Sequence, residues 1–228
     1  MRKFDTKVQH LKYKVLREVA RQAWNGTLLD DAPYSLALTN RILADYGLPQ
    51  MDGLDVYRSI FTFPVVDYYT RLGLGGERFD EAAHRWMDAY MANETVCPLQ
   101  PGAAETAVRF RDAGLRQVII SASKLENLHR QLSSRPAFAF FDPPRGLGDI
   151  YAGSKVDIAR QWMADTGADG QRTLVIGDTL HDREVARALS CRCILVEGGH
   201  QSRGTLLTAG VPVVASLQEA AALALSGA

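Results

Sequence analysis

The chain has 228 residues, 46% of them apolar and 23% charged, with a formal net charge of zero. At roughly 150 residues per domain this is one large domain or one domain with an insertion, and it can bury a core without disulfide or metal staples. The composition excludes collagen-like, low-complexity and disulfide-dense chains, and no apolar run approaches the ~20 residues of a membrane span.

The amino-terminal segment is basic. Residues 1–24 carry seven Lys or Arg and two acids. Such an arm can face nucleic acid, but one short segment reads more simply as a solvated helix face. Its apolar positions 8, 11, 15, 19 and 23 are three or four apart, which predicts an amphipathic helix over 6–22. No apolar stretch after Met1 would serve as a signal peptide. Three sparse cysteines, Cys97, Cys191 and Cys193, fit a reduced, cytoplasmic protein better than a disulfide framework.

A glycine turn, Trp24-Asn25-Gly26-Thr27-Leu28-Leu29-Asp30-Asp31, leads into residues 33–98, which read as helical with aromatic-rich patches such as Phe61-Thr62-Phe63-Pro64-Val65. This stretch contains no buried-strand pattern and is expected to be a helical insertion seated over a sheet domain. From residue 103 strand and helix signals alternate. A helix over 103–113 is opened by Pro101-Gly102 and stopped by Gly114. Gln117–Ile120, Thr173–Ile176 and Cys193–Ile194-Leu195-Val196 read as buried strands. Val211–Val214 is a fourth, short and at an edge because Pro212 has no amide to donate. Helices are expected over 125–132, 156–166, 182–189 and 217–225. Strands apolar on both faces and separated by helices predict an α/β fold with a parallel sheet covered by helices.

Four short motifs carry chemistry. Val175-Ile176-Gly177-Asp178-Thr179-Leu180-His181-Asp182 delivers two carboxylates to the carboxyl end of a strand, where open α/β sheets bind ligands. Two carboxylates there suit a hard cation such as Mg²⁺; alternatively, Asp182 simply caps a helix. Ile119-Ile120-Ser121-Ala122-Ser123 places a hydroxyl at a strand end, where loop amides can hold phosphate. Lys155, after Tyr151-Ala152-Gly153-Ser154, precedes a helix and could neutralise phosphate oxygens as a point charge. The Asn-Gly-Thr turn is the fourth. Each is also readable as an ordinary cap, loop or surface residue. His181 and His200 read as ordinary loop histidines, since neither has a metal-ligand partner at the right spacing.

The order of the motifs says more than any one of them. A Gly-Thr turn, a strand-end Ser, a Lys before a helix and a Gly-Asp-x-x-x-Asp, with helices inserted after the first, resemble the haloacid dehalogenase superfamily over about residues 24–228. The likeness is to its phosphoglycolate-phosphatase-like branch with a helical cap. The resemblance implies a Rossmann-like core formed by residues 1–32 and 99–228, a cap formed by residues 33–98, and a small phosphorylated molecule as partner. It also implies that Ser121 and Ala122 bind phosphate, that Lys155 steadies it, that Thr27 orients the first loop, and that Asn25, Asp178 and Asp182 serve Mg²⁺. It leaves the oligomeric state open.

The same resemblance exposes a break. The family's first motif is an apolar strand ending in Asp-x-Asp-Gly-Thr, sometimes Asp-x-Asn-Gly-Thr; its first Asp attacks phosphorus and the second, where present, protonates the leaving group. Aligned on Gly26-Thr27, those positions are Ala23 and Asn25. A methyl group cannot act as a nucleophile, and covalent catalysis requires one. Asp30 and Asp31 lie past the turn and read as poor substitutes. Impaired or absent hydrolysis is therefore expected; the alternative is a non-catalytic phosphate-ligand or interaction protein of the same stock. The segment before Ala23 breaks the pattern too: a central parallel strand should be apolar, and if residues 14–23 are one, Arg17, Glu18 and Arg21 need partners to offset their burial.

Overall fold

The structure is a computed structural model that describes residues 19–93, 96–149, 151 and 155–226. The predicted helix over 6–22 lies outside the described residues as far as residue 18. From Val19 on it is corrected: Val19–Gln22 is a strand, β1. It pairs in parallel with β2 (Arg116–Lys124) on one side and β4 (Thr173–Gly177) on the other. The central position that seemed to lack a strand is therefore filled by this chain.

The polar residues of β1 are accommodated one by one. Gln22 is buried and donates through Nε2 to Gln117 Oε1 at 2.9 Å, and Gln117 in turn donates to the Ala107 carbonyl at 2.8 Å. The Arg21 guanidinium lies 5.7 Å from the Trp162 ring centroid. Burial lowers its pKa to about 10, with the Cys191 thiol opposing that shift. Its Nε and Nη1 make no hydrogen bond. A cation–aromatic contact thus replaces the aliphatic packing that the pattern of a central strand demands.

The sheet has six strands in the order β3-β2-β1-β4-β5-β6, every pairing parallel. β3 is Arg145–Leu147, β5 is Arg192–Val196 and β6 is Val213–Val214. β6 is short and at an edge, as the proline predicts. β3 has no signature in the sequence: it is three residues long and only half-buried.

Strand periodicity divides the core. Ile119, Leu174 and Ile176 point to one face, with Phe110 and Trp24; Val118 and Ile120 point to the other, with Trp162 and Val185. The first face is covered by α5 (Ala103–Asp112), α6 (Leu125–Ser133) and α10 (Leu217–Ser226). The second is covered by α7 (Val156–Thr166) and α8 (Leu180–Ala188), with α9 (Arg203–Leu207) beside them. Each fully buried Leu, Ile or Phe contributes on the order of 1.5–3 kcal/mol.

Between β1 and α5 the chain forms α1 (Ala32–Asp45), α2 (Leu54–Ile60), α3 (Val65–Arg71) and α4 (Phe79–Ala92). They gather a separate apolar cluster around Leu43, Tyr57, Tyr68, Tyr69 and Leu74. The seam with the sheet region is polar. Arg58 of α2 donates to the carbonyls of Gly199 (2.8 Å) and Gly198 (2.7 Å), and Ser202 N donates to the Arg58 carbonyl at 3.1 Å. Gln201 Nε2 donates to the Phe61 carbonyl at 3.1 Å.

Candidate active site

The carboxyl ends of β1, β2 and β4 open onto a cavity of about 150 Å³. Its floor carries Ala23, Asn25, Ser121, Ala122, Ser123, Lys155, Asp178, Asp182 and His200, and its walls come from the helical region. Ala23, Asn25, Ser121, Ala122, Lys155, Asp178 and Asp182 are thus brought to one place. Thr27 stands behind them, joined through Asp178.

At the end of β4, Gly177 leaves room that any side chain would deny to Asp182. Asp182 does not open α8 as a cap residue. Thr179 is the N-cap, and Asp182 sits three residues in, folded back onto it. Its Oδ2 accepts from Asp178 N (3.2 Å), Thr179 N (3.1 Å) and Thr179 Oγ1 (2.8 Å), and its Oδ1 pairs with Lys155 Nζ. Both partners are buried. Burial opposes ionisation of Asp182, but Lys155 and the Thr179 hydroxyl outweigh it and hold the carboxyl below its usual range.

Asp178 bridges to the β1 turn. Thr27 Oγ1 donates to its Oδ1 at 2.6 Å and His200 N to its Oδ2 at 2.8 Å. Burial, with the Asp182 charge added, raises its pKa. The approach is so close that Gly26, at φ +73°, could not carry a side chain without striking the carboxylate.

At the end of β1, Ala23 presents only its methyl. Asn25 is held on every side: Nδ2 donates to Asp31 Oδ2 (2.7 Å) and Tyr90 OH (2.9 Å), and Oδ1 accepts from Ser123 Oγ (2.7 Å). Ser121 Oγ donates to Ser123 Oγ at 3.0 Å. Ser121 lies within β2, which runs on to Lys124, rather than past its end.

Two site residues escape sequence reasoning. Asp31 is buried and accepts from Gly26 N (2.8 Å) and Tyr90 OH (2.9 Å) as well as from Asn25. His200 lies 3.2 Å from it through Nε2 and 2.7 Å from Tyr57 OH through Nδ1. Burial would raise Asp31, but His200 and the hydrogen bonds from Asn25 and Tyr90 hold it low; burial would lower His200, but Asp31, with Asp178, holds it high. His200 is therefore not an ordinary loop histidine. Nor is His181, which is buried in α8 and stacks on Phe63 at 5.0 Å. The pairing of Asp31 with His200 joins distant parts of the chain and leaves no local signal.

Of the three residues expected to serve Mg²⁺, Asp182 is committed to Lys155 and Thr179, and the Asn25 amide to its three partners. That leaves Asp178 as the carboxylate on offer. Among the described residues no group of three or more His, Cys, Asp or Glu side chains is arranged to hold a metal. Among the described residues, too, no helix is long and apolar enough to cross a membrane.

A family model for haloacid dehalogenase-like hydrolases matches residues 25–196. The chain is 28% identical over 187 residues to a phosphoglycolate phosphatase of Caulobacter vibrioides, covering 77% of each. It is 24% identical over 186 residues to a phosphoglycolate phosphatase of Synechococcus elongatus, covering 82% of this chain and 86% of the other. Among solved structures it is similar to a predicted phosphatase from Clostridium acetobutylicum, with TM-score 0.79 and 20% identity over 92% of this chain and 99% of that one. It is also similar to CbbY from Rhodobacter sphaeroides in complex with phosphate, with TM-score 0.66 and 20% identity over 89% and 96%. At such identities the structural likenesses speak for the fold alone.

Proposed function

We propose, from the premise that this chain belongs to the haloacid dehalogenase-like hydrolase family, that it binds a small phosphorylated molecule and that the family's covalent hydrolysis is impaired or absent in it. The observation that carries the reading is the Ala23 methyl on the cavity floor, in line with an otherwise assembled set of Ser121, Lys155 and Asp178. In this reading residues 33–98 form the cap over a core of residues 1–32 and 99–228.

Ser121, with Ala122 beside it, contacts the phosphate from β2. The Lys155 ammonium, fixed by Asp182, supplies positive charge beside it. Thr27 holds Asp178 toward the turn. Mg²⁺, when bound, would neutralise phosphate charge. Asp178 is the residue suited to it, with Asn25 able to lend only a carbonyl and Asp182 acting as support. Mg²⁺ commonly uses one or two carboxylates together with substrate phosphate. A lone carboxylate whose oxygens already accept from Thr27 and His200 does not fit a tightly held ion, so the affinity is weakened.

Among the described residues, none on the floor stands in for the nucleophile. Asp31 is tied down by Asn25, Gly26, Tyr90 and His200, and the Asn25 amide has no acidic proton to give a leaving group. Losing the nucleophile of another covalent enzyme costs on the order of 10⁶ in turnover. The test is phosphate release from an aryl phosphate with Mg²⁺, for the chain as it stands and for Ala23→Asp. The expected result is little or no release by the former and a gain for the latter. Robust turnover by the unaltered chain overturns the reading. Silence from both proteins moves the defect beyond Ala23, to the missing acid at Asn25.

A further inference from the structure

Aromatic residues are 8% of the chain but about a third of those lining the cavity. They are grouped. In the cavity wall, Trp86 and Tyr90 of α4 stack on each other at 4.8 Å with their planes 17° apart. Tyr69 and Phe79 meet edge to face at 5.4 Å. Phe63 lies flat on His181 at 5.0 Å, and Met87 adds a polarisable side chain next to Trp86. None of this is needed to hold a phosphate or a two-carbon acid. Moreover, Trp86, Phe63 and Phe79 are only half-buried, so part of their apolar ring surface is free to be covered.

The cavity, of about 150 Å³, presents these rings and the polar floor to the same space. We infer that the ligand of this site is a phosphate ester with a flat, aromatic-sized body, its ring seated between Trp86 and Phe63 and its phosphate on Ser121 and Lys155. The inference rests on the phosphate-binding reading above and adds the class of the group that the phosphate is attached to. Offset-stacked and edge-to-face contacts with such a ring are worth more than its buried area alone, and a small polar body would leave the wall wet.

The test is calorimetric titration of the full chain with phenyl phosphate, methyl phosphate, inorganic phosphate and phenol, at one pH and salt concentration. Phenyl phosphate is expected to bind at least tenfold more tightly than methyl phosphate, which is about 1.4 kcal/mol. Trp86→Leu, which keeps apolar bulk and removes the ring, should shrink that preference and leave inorganic phosphate binding unchanged; thermal melting checks that the variant is folded. Equal affinity for the phenyl and methyl esters, with inorganic phosphate still bound, overturns the aromatic inference and leaves the phosphate reading standing. Binding of phenol without any of the three phosphates overturns the phosphate reading and, with it, the ester inferred here. A preference that survives Trp86→Leu intact removes the Trp86 wall from the account and overturns the seating proposed.

Discussion

The carboxyl ends of β4 and β1 lie side by side on the cavity floor, one built from paired charges and the other from a methyl and an amide. At β4, Asp178 and Asp182 occupy a strand-end turn that only glycine at 177 permits, and a buried lysine balances Asp182. At β1, Ala23 and Asn25 stand in the corresponding place, and a buried acid and imidazole, Asp31 and His200, sit behind the amide. The difference shows that a strand end can be ordered without charge: beside Ala23 the polar groups close on one another in a Ser121–Ser123–Asn25–Asp31 hydrogen-bonded chain.

The largest effect should come from the β4 side. Lys155→Ala leaves Asp182 buried without its cation, and breaking such a pair from one side costs about 3–5 kcal/mol. The denaturant midpoint should fall accordingly, and the combined Lys155→Met and Asp182→Asn variant should lose less. If Lys155→Ala proves neutral, the charges at β4 do not hold that rim together.

On the β1 side, Asn25→Asp sets a second carboxylate where Asn25 now donates to Asp31 at 2.7 Å. Exchanging a donated hydrogen bond for two facing acids should destabilise the protein by about 2–3 kcal/mol at neutral pH. Adding Asp31→Asn should recover most of it. Additivity of the two changes in equilibrium unfolding would show that the two positions are independent and break the comparison.

The smallest effect concerns pH. His200 holds its proton more tightly folded than unfolded. Its contribution is therefore complete below the ordinary value of 6.5 and is lost as pH rises through the raised value. Asp31 is depressed, so its contribution is present above 3.8 and is lost as pH falls through the lower value. The denaturant midpoint should decline as pH rises from 6.5 through the raised His200 value, and the decline should flatten in His200→Asn. An unchanged slope in that variant would place the titration elsewhere.

The β4 rim was legible because its apolar strand, its glycine and its two acids are consecutive, and the helices and edge strand that follow are marked by their own glycines and Pro212. β1 was not. Arg21 and Gln22 look unfit for a central strand until Trp162, Cys191 and Gln117 are seen beside them, and a stripe of apolar residues at helical spacing ran straight through it. Tertiary neighbours overrode the local pattern. The same holds at Asp31: past the turn it reads only as a poor substitute for the nucleophile, and its pairing with His200 of the 198–202 loop is made in the fold. Ser121, Lys155 and Asp178 were identified through their order along the chain, which carried what their individual contexts did not.

The seam made by Arg58, Gln201 and Ser202 couples two parts of the chamber. It fastens the aromatic roof to the loop that also carries His200. A shift of either would therefore be felt by the other, because neither can move alone without breaking hydrogen bonds.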